Sequence, residues 1–380
     1  MKIPFNIPYL TGYEEEYFLA ALKSRSHCGN NEFSKRCIAL MKKTYGFDEV
    51  FLNTSCSSAL EMGTMLADIK GGDEVLLPSY TFSSTANAII RQGAHPVFCE
   101  IEPNTMNIDV TKIEEKITEK TKMIIPIDYA GIPCEIDTIM EIARKNNMSV
   151  MVDAAQSFHS FYKEKPAAIV PDMAAFSFHE TKNITCGEGG ALVINRPDWV
   201  ERAHFLQEKG TDRKLVLDGV KNKYHWVDIG SSFLLADILA AMLLAQLEGV
   251  KIIVQERAKL TEAYHKLFAP FEKSGHLRIP HPPHHVTINH HAFFVIFDSK
   301  EDRQRFLLLL KEKNIHAYIG YVPLHSSPMG RKLGYKPEDL PLTEEISSCV
   351  VRLPFYVDLP KNGMDYCITE MGNALSTLYG

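Results

Sequence analysis

The chain has 380 residues, 45% of them hydrophobic and 23% charged, with a formal net charge of −6. That balance is ordinary for a soluble globular protein of about two domains, and the absence of any basic run of five or more disfavours nucleic acid and anionic membranes as partners. Eight cysteines without a CxxC pair and an opening, MKIPFNIPYL, without an apolar secretory core lead to the expectation of free thiols in a cytoplasmic protein.

From about residue 48 to 195, short β-like runs alternate with helical patterns. The runs are EVFLNTS, DEVLLPSY, HPVFCEI, KMIIPID, MSVMVDAA, MAAFSFH and GALVIN. Several are continuously apolar, as expected of central strands covered on both faces. CSSALEMGTMLADIK and EIDTIMEIARKNN place apolar residues at three- and four-residue spacing, which predicts helices. Repeated βα units predict a large, doubly wound, mostly parallel sheet. Residues 197–209 read as one helix and 232–270 as long helical material. The greasiest stretch, LLADILAAMLLAQLEGVKIIV, carries Asp237, Gln246 and Glu248 and fits a buried helix better than a membrane span. A smaller α/β segment follows: HAFFVIF, KEDRQRFLLLLKEKN, SCVVRLPFY and a helix from about 364. The expected division is a large domain over 1–250, with an N-terminal helical segment, and a smaller C-terminal α/β domain over 251–380.

Ligands of open α/β sheets sit beyond the carboxyl ends of the strands. Those ends carry Ser55 to Ser58, Ser79 to Phe82, Asp128 and Tyr129, Asp153, and Ser177 to Lys182. Ser57 and Ser58 open a helix, where free N–H groups favour a phosphate, although such serines also serve as plain helix caps. Asp153 ends an almost wholly apolar strand and needs a cationic or hydrogen-bonded partner, catalytic or structural. Lys182 lies between an apolar run and the glycine-rich turn GEGG; its head either reaches water or serves chemistry. Tyr80 and Phe82 offer aromatic faces or ordinary core packing. Together these parts match one cofactor, pyridoxal 5′-phosphate (PLP). It needs an amine for its aldehyde, a carboxylate for its ring nitrogen, an anion pocket for its phosphate and an aromatic face for its ring.

The stretches IPFNIP, GDEVLLPSYTFSSTANAI, VDAAQS, FSFHETKN…GEGGALV and VPLH resemble the sugar aminotransferases of the DegT/DnrJ/EryC1/StrS family, which are fold-type-I PLP enzymes, over essentially the whole chain. NTSCSSALEM, NTMNID, CEIDTIM, FSFHETKN and DIGSSFLLAD resemble the subgroup that makes dTDP-4-amino-4,6-dideoxygalactose for enterobacterial common antigen. The resemblance implies that Lys182 holds the cofactor's aldehyde, Asp153 pairs with the ring nitrogen, Gln156 lies against the cofactor and Phe82 stacks on it. It also implies a phosphate cradle of Ser57, Ser58 and Ser177, completed by Ser232 from a second subunit where relatives carry asparagine, and hence a homodimer with shared sites. Asp128 stands where many relatives have histidine. Relatives that act as dehydratases replace the lysine with histidine, so Lys182 favours amino transfer. The implied substrates are L-glutamate and a dTDP-linked 4-keto-6-deoxyhexose. Asn30, Lys209, Arg213, Tyr321 and His325 are candidate sugar-nucleotide contacts, His325 the first to test.

Three other readings compete with this one. A nicotinamide oxidoreductase needs GxGxxG between the first strand and helix, whereas GEGG lies far down the chain before a strand. A non-catalytic sensor of cofactor or sugar nucleotide fits poorly with retention of both Lys182 and Asp153. Within the enzyme class, amination at C3, or at C4 with opposite stereochemistry, stays open. The histidines at 281, 284, 285, 290 and 291 lack the helical i, i+4 spacing of a zinc site, so no metal is expected.

Overall fold

Each of the seven β-like runs forms a strand, because alternate residues along them feed two separate cores. The computed structural model describes residues 1–380. Its main sheet contains β1 (Glu49–Asn53), β2 (Glu74–Pro78), β3 (His95–Cys99), β4 (Thr121–Ile124) and β5 (Ser149–Asp153). After a side hairpin of β6 (Phe161–Tyr162) and β7 (Lys165–Pro166) come β8 (Met173–Ser177) and β9 (Gly190–Ile194). The strand order is β1-β9-β8-β5-β4-β2-β3, parallel throughout except that β9 runs antiparallel to both its neighbours. Val50, Leu76, Val150, Val152 and Phe176 enter one core; Phe51, Val75, Leu77, Met151 and Leu192 enter the other.

Helices cover both faces. The first core takes apolar residues of α2 (Glu32–Tyr45), α5 (Ile136–Lys145) and α8 (Asp237–Glu248). The second takes those of α3 (Cys56–Leu66), α4 (Ser83–Ile90) and α6 (Val200–Gln207). α1 (Glu14–Ser24) and the short α7 (Arg213–Leu217) lie outside this repeat. The sheet is therefore doubly wound and mostly parallel, as its sequence predicts.

The long helical stretch begins later than expected, since residues 232–236 are extended, and it divides at Gly249 into α8 and α9 (Val250–Lys273). α9 leaves the first core at Ile253 and enters a third at Tyr264 and Phe268. That third core lies against a four-stranded antiparallel sheet. Its members include β10 (Leu277–Arg278); β11 (Val286–Thr287) instead joins β6. β12 (Phe294–Phe297), β13 (Tyr318–Ile319) and β14 (Val350–Arg352) complete it in the order β10-β12-β14-β13. α10 (Lys300–Glu312), α11 (Pro328–Lys332), α12 (Pro341–Cys349) and α13 (Gly363–Tyr379) accompany it.

The chain start returns to this C-terminal unit. Ile3, fully buried, donates its N–H to Asn314 O at 2.9 Å and accepts from His316 N at 3.0 Å, and Phe5 O accepts from Phe355 N at 3.2 Å. All eight cysteines are free, and no helix is long and apolar enough to cross a membrane.

Candidate active site

The carboxyl ends of β1, β2, β5 and β8 converge on a cavity of about 480 Å³. Ser57, Phe82, Asp153, Gln156, Ser177, Lys182 and Tyr321 all line it. The β8–β9 loop brings Lys182 there. Phe178 N donates to Gly189 O at 2.8 Å and Glu180 N to Gly187 O at 2.9 Å, which folds the loop back on itself. Gly190 must lack a side chain: a Cβ would lie 2.3 Å from the Ser55 carbonyl carbon, so glycine lets β9 start against the turn that opens α3. The GEGG turn is thus a packing requirement.

Asp153 is 5% exposed and accepts two hydrogen bonds, from Thr85 Oγ1 at 2.7 Å and from Ala155 N at 3.2 Å. Burial raises its pKa, partly offset by Thr85, Ala155 and the Lys182 charge. Burial lowers the pKa of Lys182; Cys56 and Asp153 oppose that shift and the Arg352 charge adds to it. An amine that sheds its proton easily is a nucleophile and a base.

The serines divide. Ser57 Oγ lies 2.6 Å from Ser84 Oγ, placing the N-terminal turns of α3 and α4 side by side at the cavity. Ser58 closes a capping box with Ser55, its Oγ accepting from Ser55 N at 3.0 Å while its own N–H donates to Ser55 Oγ at 3.1 Å. It does not line the cavity, which fits the plain capping role. Ser177 is buried at the end of β8 and lines the cavity. Gln156 is clamped at both ends, Oε1 accepting from Ala130 N at 2.8 Å and Nε2 donating to Tyr321 OH at 3.1 Å. Phe82 is 59% exposed, so its ring is a free face over the cavity and no part of the core.

This arrangement fits PLP on its own terms: a destabilised ammonium, a buried carboxylate with a second-layer hydroxyl, and paired helix starts carrying hydroxyls. The model of the DegT/DnrJ/EryC1/StrS aminotransferase family matches residues 16–372. An uncharacterised protein of Methanocaldococcus jannaschii is 34% identical over 336 residues, covering 84% of this chain and 86% of its own. The spore coat polysaccharide biosynthesis protein SpsC of Bacillus subtilis is 30% identical over 319 residues, covering 82% and 81%. The chain belongs to this family. The Streptococcus pneumoniae protein Spr1654 in its PLP-form has the same fold, with 24% identity, a TM-score of 0.91 and full coverage of both chains. This family of sugar aminotransferases is PLP-dependent, and the fold is that of fold-type-I PLP enzymes.

Not every residue singled out in the sequence reaches the aminotransferase cavity. His325 is 0% exposed, with Nδ1 at 2.7 Å from Ser79 Oγ and Nε2 at 3.4 Å from Glu344 Oε1. It pins the 321–328 loop to the end of β2, which leaves it no face for a sugar. Lys209 and Ser232 lie exposed outside the cavity, and Arg213 opens α7; Arg213 pairs with Glu208 at 3.1 Å and Ser232 bridges to Glu208. Asn30 sits half-buried just before α2, also away from the cavity. Asp128 lies behind it, bonded to Cys134 N at 2.9 Å and Ser157 Oγ at 2.7 Å; burial pushes its pKa up to about 6. The noted histidines are dispersed: His281 pairs with Glu272, His285 with Glu135, His290 with Thr261 and His291 with Asn183.

Sequence reasoning missed Thr85 and Arg352. Thr85 sits on the first turn of α4, and only its position opposite Asp153 reveals a role. Arg352 ends an apolar strand, the same signal that drew attention to Asp153, but in a segment read only for its fold.

Proposed function

We propose that this aminotransferase moves the amino group of L-glutamate to C4 of a nucleotide-linked 4-keto-6-deoxyhexose. The specific reaction converts dTDP-4-keto-6-deoxyglucose to dTDP-4-amino-4,6-dideoxygalactose for a surface polysaccharide, the enterobacterial common antigen or an O-antigen, in the cytoplasm. The observation that carries amino transfer is the convergence of Lys182 and Asp153 on one cavity at the strand ends. The sugar rests on the subgroup stretches alone, whereas a role in polysaccharide synthesis is also supported by a 30% identical relative named for it.

When bound, PLP supplies an aldehyde that exchanges oxygen for an amino group and a ring that withdraws electrons from the adjoining carbon. Asp153 holds the proton on the ring nitrogen, and Thr85 orients Asp153. Ser57 and Ser177, with the free N–H groups of α3, hold the phosphate; Phe82 covers the ring and Gln156 lies against it. Lys182, as the neutral amine, takes the α-proton of glutamate and later delivers a proton to C4 of the sugar. Glutamate leaves as 2-oxoglutarate, and the ketone oxygen leaves as water.

The enzyme acts as a homodimer, with Ser232 completing the partner's phosphate cradle. Support comes from the exposed loop that bears it, where Leu217, Val220, Tyr224, Trp226 and Ile229 all face solvent. The deciding experiment incubates holoenzyme with L-glutamate and dTDP-4-keto-6-deoxyglucose and reads the product by NMR. An axial C4 amine is expected. An equatorial one overturns the sugar assignment, and absence of any aminated sugar overturns the substrate class.

A further inference from the structure

A second, smaller cavity of about 110 Å³ shares Lys182, Thr181 and Tyr321 with the first and reaches toward the C-terminal unit, where His291, Arg257 and Arg352 line it. His291 is buried, and a chain of buried amides fixes its ring. Asn289 Nδ2 donates to the backbone oxygens of Gln156 and Phe158, both at 2.8 Å, and Asn289 O accepts from Asn183 Nδ2 at 2.7 Å. With its Nδ2 so engaged, Asn183 turns Oδ1 toward His291 Nδ1 at 3.1 Å. An amide oxygen only accepts, so Nδ1 carries the ring hydrogen and Nε2 keeps a lone pair. No protein group meets Nε2, although the ring lines the cavity. The hydroxyls on that wall are engaged, Thr181 with His179 Nδ1 at 3.0 Å and Tyr321 with Gln156 Nε2 at 3.1 Å. The two arginines offer hydrogens and no lone pair. Burial and the charges of Lys182, Arg257 and Arg352 push His291 well below the ordinary histidine range, which keeps the ring neutral.

From this geometry we infer that His291 Nε2 accepts a hydrogen bond from the Lys182 amine while that amine carries a proton between carbons. The inference rests on the amino-transfer reading above and adds a positioning residue to it. Lys182 lines both cavities, and its flexible four-carbon stem lets the amine turn from the cofactor side to this one. Once protonated, the amine has three hydrogens to place and two guanidinium groups on the same wall, so a lone pair is what the site must supply. A neutral imidazole supplies it without holding the lysine as a permanent ammonium, as a carboxylate at that position would. Asn183, which fixes the ring's tautomer, is joined to Lys182 by one peptide bond, so the loop that delivers the lysine also delivers its acceptor. Both half-reactions use Lys182, and His291 therefore serves both alike.

The test uses two amides. His291→Asn keeps a donor for Asn183 and loses the lone pair at Nε2, whereas His291→Gln places an amide oxygen near that position. The PLP-loaded variants are followed by absorbance on adding L-glutamate, and the pyridoxamine-phosphate-loaded ones on adding dTDP-4-keto-6-deoxyglucose. For His291→Asn the maximal rate of both half-reactions falls roughly 10- to 100-fold, as expected for loss of a hydrogen bond to a charged group, while KM for glutamate stays within about threefold. Deuterium at the α-carbon of glutamate then slows the variant more than the wild type, and His291→Gln recovers part of the loss. A second readout needs no turnover. Lys182 in pyridoxamine-phosphate-loaded protein is acetylated with acetic anhydride across pH and its peptide is read by mass spectrometry. Because Nε2 stabilises the ammonium, the labelling midpoint in His291→Asn falls by about one pH unit. Loss in one half-reaction only, equal loss in both variants, or an unmoved midpoint overturns the inference and leaves amino transfer standing. A wild-type enzyme that reacts with no amino acid donor overturns the amino-transfer reading, and with it the role given to His291.

Discussion

The two walls of the site are built differently. The wall carrying Ser57, Phe82, Asp153 and Lys182 comes from one sheet, where the loops after β1, β2, β5 and β8 each deliver a side chain. The opposite wall, with Tyr321 and Arg352, comes from a separate antiparallel sheet that the chain reaches after α9 and that its first residues also join. The ends of strands in one sheet position Lys182 and Asp153; long-range returns of the chain position Tyr321 and Arg352.

The largest expected effect tests the first wall. Lys182→Ala should lower turnover by about 10⁴-fold while the protein still binds pyridoxamine phosphate, because proton transfer at carbon loses its base. Appreciable multiple turnover in that variant would remove Lys182 from the mechanism. Asp153→Asn should cost roughly 10²- to 10³-fold in kcat without lowering Tm, since the change removes a buried charge that loses solvation. A drop in Tm with near-normal turnover would make Asp153 structural.

A finer comparison lies within one turn of α3. Ser57→Ala should weaken PLP binding by about tenfold and leave apo-protein stability unchanged, as loss of one hydrogen bond to a charged group predicts. Ser58→Ala should do the reverse, lowering stability by about 1 kcal/mol through its cap and leaving PLP affinity within about twofold. Titration of cofactor into both apo-proteins, with chemical unfolding of each, separates them; interchangeable behaviour would erase the distinction.

The smallest effect concerns Asp128. Its folded-state pKa of about 6 lies above the ordinary carboxylate value of 3.8, so between these values the folded state binds more protons than the unfolded one. Stability from this group is therefore fully present below the unfolded value and is lost as pH rises through about 6. Asp128→Asn should flatten the fall in Tm between about pH 4 and 6, and an unchanged slope would mean that the carboxylate is better solvated than its burial indicates.

The sequence displays the first wall because strand ends of a doubly wound sheet follow from continuous apolar runs, and the residues just beyond them are few. Phe82 could be named from its place after VLLPSYT; that it stays exposed needed the fold. The second wall was less legible because nothing local says that SCVVRLPFY faces Lys182. His325 shows the converse: a histidine in a recognisable VPLH stretch invites a substrate role, yet its ring nitrogens are taken up by Ser79 Oγ and Pro337 O. Gly249 divides the long helical stretch although apolar spacing continues across it, and a Cβ there would lie 2.5 Å from Thr11 Cγ2.

The return of Ile3 to residues 314–316 also sets an order of events during synthesis. Ile3 leaves the ribosome well before its hydrogen-bonding partners, which lie more than three hundred residues behind it. At roughly 5–20 residues per second the leading strand waits on the order of 15 to 60 seconds with its apolar side chain unpaired. The main sheet can close in that interval, whereas the wall bearing Arg352 is complete only when the Ile3 segment meets residues 314–316.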